Sequence, residues 1–564
     1  MSDAVNDQAI DAEAKIWATD NPPSAKWPLY TRGNVGEVFP EVVLPFTWDL
    51  IGQAAEDGWR EAFVRMGLVA VGDFDDDEPM TILSVFGGYC YINASYVRML
   101  GVRAPGGDVA TIDQTFFGGS DAPAYVERDG DKNRRASLKL AATVLRLLNT
   151  KDLPALRADK VKVDRFASKY PSAAADGTPA SDQQLLDYCR SFPPFFQSLF
   201  ARHIENTFSD ALVSGALIDL VTKAGKDELL VSILGGIGDV ESAAPAEAMW
   251  ELSRLERDDP SWERDFASFI SRFGSRGPNE WDLGSDPWDF RPEMAKAAID
   301  AMRPVADDRS PMEHQRALVE ARDAAVAEVR SALHRVDRFQ FDKALAATII
   351  FSQARERSKT TVIAAIHAVR RAQQALHERA VARGGVRERW KSCLLNVDDF
   401  TAYLVDPEAH IDLIEQRAAL HGRLSTLTAP FIVEGVVPPI VSWETAASPA
   451  GVVAVGDVLE GIPGCPGLAQ GRARVVLDPA DPRGLGPGDV LIAPITDPSW
   501  TPLFLAAEAV IVNVGAVMSH AVIVSRELGI PCVVSVAGAT SAIPDGALVE
   551  VDGNTGSVRV LEMP

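Results

Sequence analysis

Apolar and polar positions divide the 564-residue chain into three textures. Over 27–40 they alternate around Gly33 and Gly36, the period of a half-buried strand and turn, and Gly87-Gly88-Tyr89-Cys90-Tyr91-Ile92-Asn93 reads as a second strand. From about 131 to 422 the period becomes helical. Leu138, Ala141, Val144, Leu145 and Leu148 recur at helical spacing, as do Leu318, Val326, Val329, Leu333 and Val336. A long helix is predicted over 342–383, stopped by Gly384-Gly385. This much amphipathic helix is most simply a bundle. A small, polar stretch over 441–456 reads as a linker. Beyond it short apolar strands return at 474–477, 490–493, 509–514 and 531–536, separated by glycine turns.

The expected fold class is therefore multidomain α+β. A polar, loosely held arm or single helix over 1–26 precedes a 27–440 domain. That domain has a small N-terminal β-containing part and is mainly helical from about 131. The 441–456 linker then leads to a C-terminal domain over 457–564.

The chemistry-bearing stretch is Gly515-Ala516-Val517-Met518-Ser519-His520-Ala521-Val522-Ile523-Val524-Ser525-Arg526. It lies between two apolar runs and reads as strand, tight glycine turn, short helix, strand. His520 then falls in the first turn of the helix, where backbone N–H groups are unpaired and the dipole favours anions. A neutral imidazole there can attack a phosphoryl group, with Arg526 on the same helix as counter-charge. A lone histidine on a packed helix is more often structural, and on these residues alone that reading stays open.

Arg355 and Lys359 lie four apart on the predicted long helix, on the stripe of Leu345, Ile349, Ile363 and Ile366. Like charges at this spacing repel by about 0.2–0.5 kcal/mol when exposed. Covering them costs more unless an anion sits between them, and a transferring phosphoryl group is such an anion. A snorkelling pair with Glu356 as partner is the structural alternative. Arg276 and Glu280 sit in a Gly/Pro-interrupted loop over 272–283, which is either a catalytic part or a turn held by a salt bridge.

The pattern of residues 515–526 resembles the phosphohistidine signature of the phosphoenolpyruvate-utilising enzymes. It departs at Met518, where many members have Thr or Asn; the rifampicin phosphotransferase branch tolerates an apolar residue there. The resemblance covers roughly the last hundred residues, including Gly461-Ile462-Pro463-Gly464-Cys465-Pro466-Gly467, Thr496-Asp497-Pro498-Ser499-Trp500-Thr501-Pro502-Leu503 and Val551-Asp552-Gly553. Earlier stretches resemble the same branch. They are an Asn-x-Gly-Glu pattern at Asn34, an Arg-Glu-x-x-Lys helix at Arg355 and Lys359, and a Gly-His-Arg-Gly-Pro-x-Glu loop at Arg276 and Glu280. In that loop Ser275 replaces the histidine, so no role tied to the histidine carries over. The resemblance implies that 457–564 is a swivelling β/β/α phosphohistidine domain and 27–440 an acceptor-substrate-binding domain. It implies catalytic roles for His520, Arg355 and Lys359 and phosphate contacts for Ser519, Arg526 and Gly515. It also implies substrate-domain roles for Arg276, Glu280 and Asn34.

Composition narrows the function. Lys and Arg number 55 against 79 Asp and Glu, a formal net charge of −24, which argues against nucleic acid or an anionic membrane surface as partner. Five scattered cysteines lack zinc spacing and suit reduced thiols of the cytoplasm, with no metal site expected. No signal h-region is visible at the N-terminus, and the apolar run over 502–518 is broken by Glu508 and Asn513. No Walker-type phosphate loop, ATP-grasp pattern or phosphoenolpyruvate-binding barrel is legible. Members of the family that the chain resembles usually carry an ATP-grasp domain, so the resemblance implies ATP and Mg²⁺ on a separate ATP-grasp subunit. That split resembles phenylphosphate synthase and 4-alkylphenyl (4-cresol) phosphate synthase, and implies an aryl phosphate, AMP and phosphate as products. Two other readings stand beside it: transfer to a rifamycin or other natural-product hydroxyl, and a phosphocarrier or regulatory protein with no small-molecule acceptor.

Overall fold

The computed structural model describes residues 16–564 apart from 75–77, 79, 104–108, 118–121, 129, 172–178, 239–240, 242, 308–309, 446–452, 480–483, 497–499 and 516–518. Its axis is the helix Arg335–Ala382, 48 residues long. It starts seven residues before the expected 342 and ends where Gly384 turns the chain at φ 93°. Ala344, Ala347, Ala354 and Ser358 are buried along one side. These small side chains let the helix lie closely along the 32-residue helix Phe192–Lys223. That second helix packs in turn on Pro45–Met66.

Pro45–Met66 corrects the expectation that helix begins near 131. It buries Phe46, Leu50, Ile51, Ala54, Ala55, Trp59, Ala62, Phe63 and Met66, a three-and-four spacing that runs through Gly52 and Gly58. Ala94–Arg103 and Val109–Phe116 are helical as well. The two predicted strands exist as Leu29–Thr31 and Tyr89–Asn93. They join Leu83–Phe86 and Ile432–Glu434 in an antiparallel sheet whose order is Leu83–Phe86, Tyr89–Asn93, Leu29–Thr31, Ile432–Glu434. The last strand comes from the far end of the helical body, so the two ends of this domain are stitched together.

Three further expectations change. Residues 16–26 are no loose arm: Trp17 is buried, and its indole N–H donates to the Val43 carbonyl at 2.8 Å. Burying an indole outweighs the polar composition that suggested detachment. Residues 1–15 of that arm lie outside the described residues. Leu138 and Leu145, read as a buried stripe, are 73% and 64% exposed. The helix Arg134–Leu147 docks through Ala136, Leu140 and Leu147 instead. The 441–456 linker is anchored at both ends. Trp443 is buried on the first body, and the Val453 N–H donates to the Ala542 carbonyl at 3.2 Å on the second. Its central residues, 446–452, lie outside the described residues.

The C-terminal domain is built on an eight-stranded sheet in the order Val458–Glu460, Ser557–Glu562, Leu548–Asp552, Leu468–Val475, Asp489–Ala493, Ala509–Val512, Cys532–Val534, Ile462–Cys465. Leu468–Val475, Asp489–Ala493, Ala509–Val512 and Cys532–Val534 run parallel to their neighbours within this set, and the outer pairings are antiparallel. Strand alternation feeds two cores. Val490, Ile492 and Ile511 face Ala539, Ile543 and Val549. Leu491, Ala493, Val510 and Val512 face the helices Thr501–Ala506 and His520–Leu528. That second core continues into the helices Ala244–Ser253, Trp262–Phe273 and Pro292–Met302 of the first body. The histidine-bearing face is thus docked on the helical domain through apolar contact.

Candidate active site

His520 opens the helix His520–Leu528. Ser519 is its N-cap: the Ser519 Oγ accepts the Val522 N–H at 3.4 Å. Gly529 closes it in the left-handed region at φ 64°. The strand Ala509–Val512 delivers the chain to this turn, and Ala521, Val522, Val524 and Leu528 bury the helix against the sheet. The imidazole is held by two hydroxyls. Its Nδ1 lies 3.2 Å from Thr496 Oγ1 and its Nε2 lies 3.4 Å from Thr501 Oγ1. The Phe504 ring meets it edge-on at 6.0 Å. Burial, then the charge of Lys359, then that of Arg276, hold the ring far below the ordinary histidine value. His520 is therefore neutral at pH 7, and one of its two ring nitrogens carries the lone pair that a nucleophile needs.

The helical domain supplies the opposite wall. Lys359 projects from the long helix, with Nζ 3.6 Å from Glu280 Oε1. Arg276 Nε lies 2.8 Å from Glu280 Oε2, and both side chains are buried. Their loop is pinned by Arg370, whose Nη2 donates to the Glu280 and Asp282 carbonyls at 2.7 and 2.9 Å. Arg276 and Lys359 thus act together on His520, and Glu280 pairs with both of them.

Arg355 is brought near but one turn away. Its Nη1 donates to Asp210 Oδ2 at 2.8 Å and its Nε to Glu356 Oε1 at 3.1 Å. Across the domain contact its charge acts on Glu527, whose carboxyl is pushed up to about 7 by burial and then by Glu356. The expected pair is split: Lys359 answers to His520, and Arg355 to the far end of the same helix.

The structure places the remaining expected residues as follows. Arg526 is six residues from His520, about 9 Å along a helix axis and on another side of it. Its Nε donates to the Gly464 carbonyl at 2.9 Å, bracing the neighbouring strand. Asn34 is exposed at φ 70° and makes no side-chain cap. Gly33 serves packing, because a Cβ there would lie 1.7 Å from the Phe116 carbonyl oxygen. Gly515 lies at the turn, where its carbonyl accepts the Ser535 hydroxyl. Ala516, Val517 and Met518 lie outside the described residues.

Sequence reading missed four groups. Thr496 and Thr501 stand inside a stretch noted for its resemblance, yet only the tertiary fold shows that both hydroxyls converge on one ring. Glu37 lies three residues beyond Asn34, one helical turn on. In the short helix Val35–Val38 its Oε2 accepts the His520 backbone N–H at 3.0 Å. Burial pushes its carboxyl up to about 7, against the pull of that N–H and of Lys359. His203, on the helix Phe192–Lys223, places Nδ1 3.1 Å from Ser358 Oγ and its ring beside Phe200 and Trp281. Burial and then Lys359 lower it to about 4.

Comparison with known proteins matches two segments of the chain. Residues 485–556 match the family model described as PEP-utilising enzyme, mobile domain, and residues 202–362 match rifampicin phosphotransferase fourth domain. An uncharacterized protein of Mycobacterium tuberculosis is 30% identical over 383 residues, 66% of this chain and 40% of its own length. The prodigiosin synthesizing transferase PigC of Serratia marcescens is 26% identical over 604 residues, 97% of this chain and 64% of its own. The rifampicin phosphotransferase of Streptomyces sviceus is 28% identical over 355 residues, covering 61% and 39%. The chain therefore spans about 40% of the length of the first of these relatives. His520 falls in the first matched segment; His203, Arg276, Glu280, Arg355 and Lys359 fall in the second. The chain is thus similar to a PEP-utilising mobile domain over 485–556 and to a rifampicin phosphotransferase fourth domain over 202–362.

Proposed function

We propose that this chain is the histidine-bearing part of an ATP-dependent phosphotransferase. His520 carries a phosphoryl group to the hydroxyl of a phenolic acceptor such as phenol or 4-cresol. The observation that carries the reading is a neutral His520 ring at a helix N-terminus with Lys359 and Arg276 across from it.

ATP with Mg²⁺, held by a separate ATP-grasp subunit, supplies the phosphoryl group, with AMP and phosphate as by-products; no residue of this chain is assigned to the nucleotide. The Thr496 and Thr501 hydroxyls orient the ring so that one nitrogen presents its lone pair. In the docked arrangement Lys359 and Arg276 neutralise the phosphoryl oxygens as the acceptor oxygen attacks in line. Lys359 also favours the phenolate form of an acceptor whose pKa is about 10, by analogy with tyrosine. Loading needs His520 to leave this contact, so the C-terminal domain swings on the 441–456 linker. The swing uncovers the apolar seam between Leu503, Phe504 and the helix Pro292–Met302, and the loading subunit covers it in turn.

Acid-labile phosphate should appear on His520 only when the ATP-grasp protein and ATP are both present. His520→Ala should abolish it while leaving the fold intact; label retained by that variant sinks the reading. The rifamycin alternative draws on the fourth-domain match and on relatives named rifampicin phosphotransferase. Competition between 4-cresol and rifampicin for the loaded protein decides between the two acceptors.

A further inference from the structure

Transfer to a hydroxyl releases a proton, and the phosphoryl-bearing ring cannot take it while its nitrogen is bonded to phosphorus. We infer that Glu37 is the general base that removes the acceptor's proton. The inference rests on the phosphotransfer reading above.

Among the described residues around His520, the other titratable groups are engaged. Glu280 lies between Arg276 and Lys359, at 2.8 and 3.6 Å. Arg355 and Lys359 hold the Glu356 carboxyl below its usual range despite burial. Asp210 is tied to Arg355 and to the Ser352 hydroxyl. Glu527 sits two turns down the histidine helix, facing Arg355 and Arg322. His203 is lowered to about 4 by burial and then by Lys359, which leaves it too weak a base.

Glu37 differs in position and in bonding. One of its oxygens accepts the backbone N–H of the phosphoryl-bearing residue itself. The groups that act on it across the domain contact are the His520 backbone N–H and the charge of Lys359 on the long helix. Its carboxyl titrates near 7, where a general base balances availability against strength. In the step, a Glu37 oxygen takes the hydroxyl proton and the acceptor oxygen bonds to phosphorus. The phosphorus–nitrogen bond breaks, and its electron pair returns to the His520 ring. Glu37 then loses its proton to solvent.

The test loads the full-length protein chemically with phosphoramidate, which removes the partner subunit from the experiment. Single-turnover transfer is followed to 4-cresol, to rifampicin and to 4-nitrophenol, an acidic phenol largely ionised above neutral pH. Glu37→Gln keeps a carbonyl oxygen for the His520 N–H, whereas Glu37→Ala does not. Expected are a slowing of about 100-fold or more in both variants, loss of the wild-type fall in rate as pH drops through about 7, and near-normal transfer to 4-nitrophenol. A Glu37→Gln variant that matches wild type overturns the inference and leaves the phosphotransfer reading standing. So does a slow variant that keeps the wild-type pH profile and stays slow on 4-nitrophenol, since that is a docking role. Wild-type protein that transfers to neither 4-cresol nor rifampicin overturns the reading and the inference together.

Discussion

Lys359→Met separates delivery of the phosphoryl group from its acceptance. Methionine keeps the apolar stem of the side chain and removes only the ammonium. That ammonium is the largest charge effect on the His520 ring and lies 3.6 Å from Glu280. A unit charge about 4 Å from a phosphoryl oxygen is worth about 4 kcal/mol at an effective dielectric of about 20. Removing one pre-aimed electrostatic contact of this kind costs about 3–4 kcal/mol at the barrier, or 10²- to 10³-fold in rate. Glu280 keeps Arg276 at 2.8 Å, so the loop stays paired and the fold survives. The same ammonium depresses the His520 pKa, so its loss lets the unloaded ring protonate at higher pH. Loading by phosphoramidate should therefore be normal at pH 8, and its acid limb should move upward. Rapid-quench measurement of a single turnover from the loaded protein to 4-cresol reads the delivery step alone. Delivery within threefold of wild type would refute the placement of Lys359 at the transferring group.

Two other outcomes follow from the geometry. Arg526→Met should leave loading and delivery within a few-fold of wild type while costing about 1–3 kcal/mol of stability, because its guanidinium braces the Gly464 carbonyl; a loss of transfer on the scale of Lys359→Met would restore Arg526 to the phosphate site. His203 titrates at about 4 in the fold against an ordinary value of 6.5. The unfolded chain therefore takes the proton first, and stability is lost as pH falls from 6.5 toward 4. Glu37 and Glu527, both raised to about 7, act in the opposite sense over the same range, so the comparison is made between variants. Relative to wild type, His203→Gln should gain on the order of 3 kcal/mol between pH 6.5 and pH 4; parallel denaturation curves at the two pH values would contradict the buried, neutral state of His203.

Local pattern carried the elements and the candidate histidine. The strand, Gly turn and helix around His520 are local events: a serine cap, an apolar face and a left-handed glycine stop are all written within ten residues of one another. The long helix was legible for the same reason, through its period and its closing glycine. What the chain by itself left open was which face of each element would be covered. Arg134–Leu147 carries apolar residues on more than one side, and only its neighbours chose Leu140 over Leu138 and Leu145.

The site was decided by tertiary contact because its parts are far apart in sequence. Glu37 and His520 are separated by 483 positions and meet through one backbone N–H. Thr496 and Thr501 become a pair only around the ring they share. Arg355 and Lys359, equivalent by spacing, part company because the facing helix offers a carboxylate to one and an imidazole to the other. Periodicity reports a residue's own helix. Charge and desolvation depend on whatever packs across from it, and that partner is set by the fold of the whole chain.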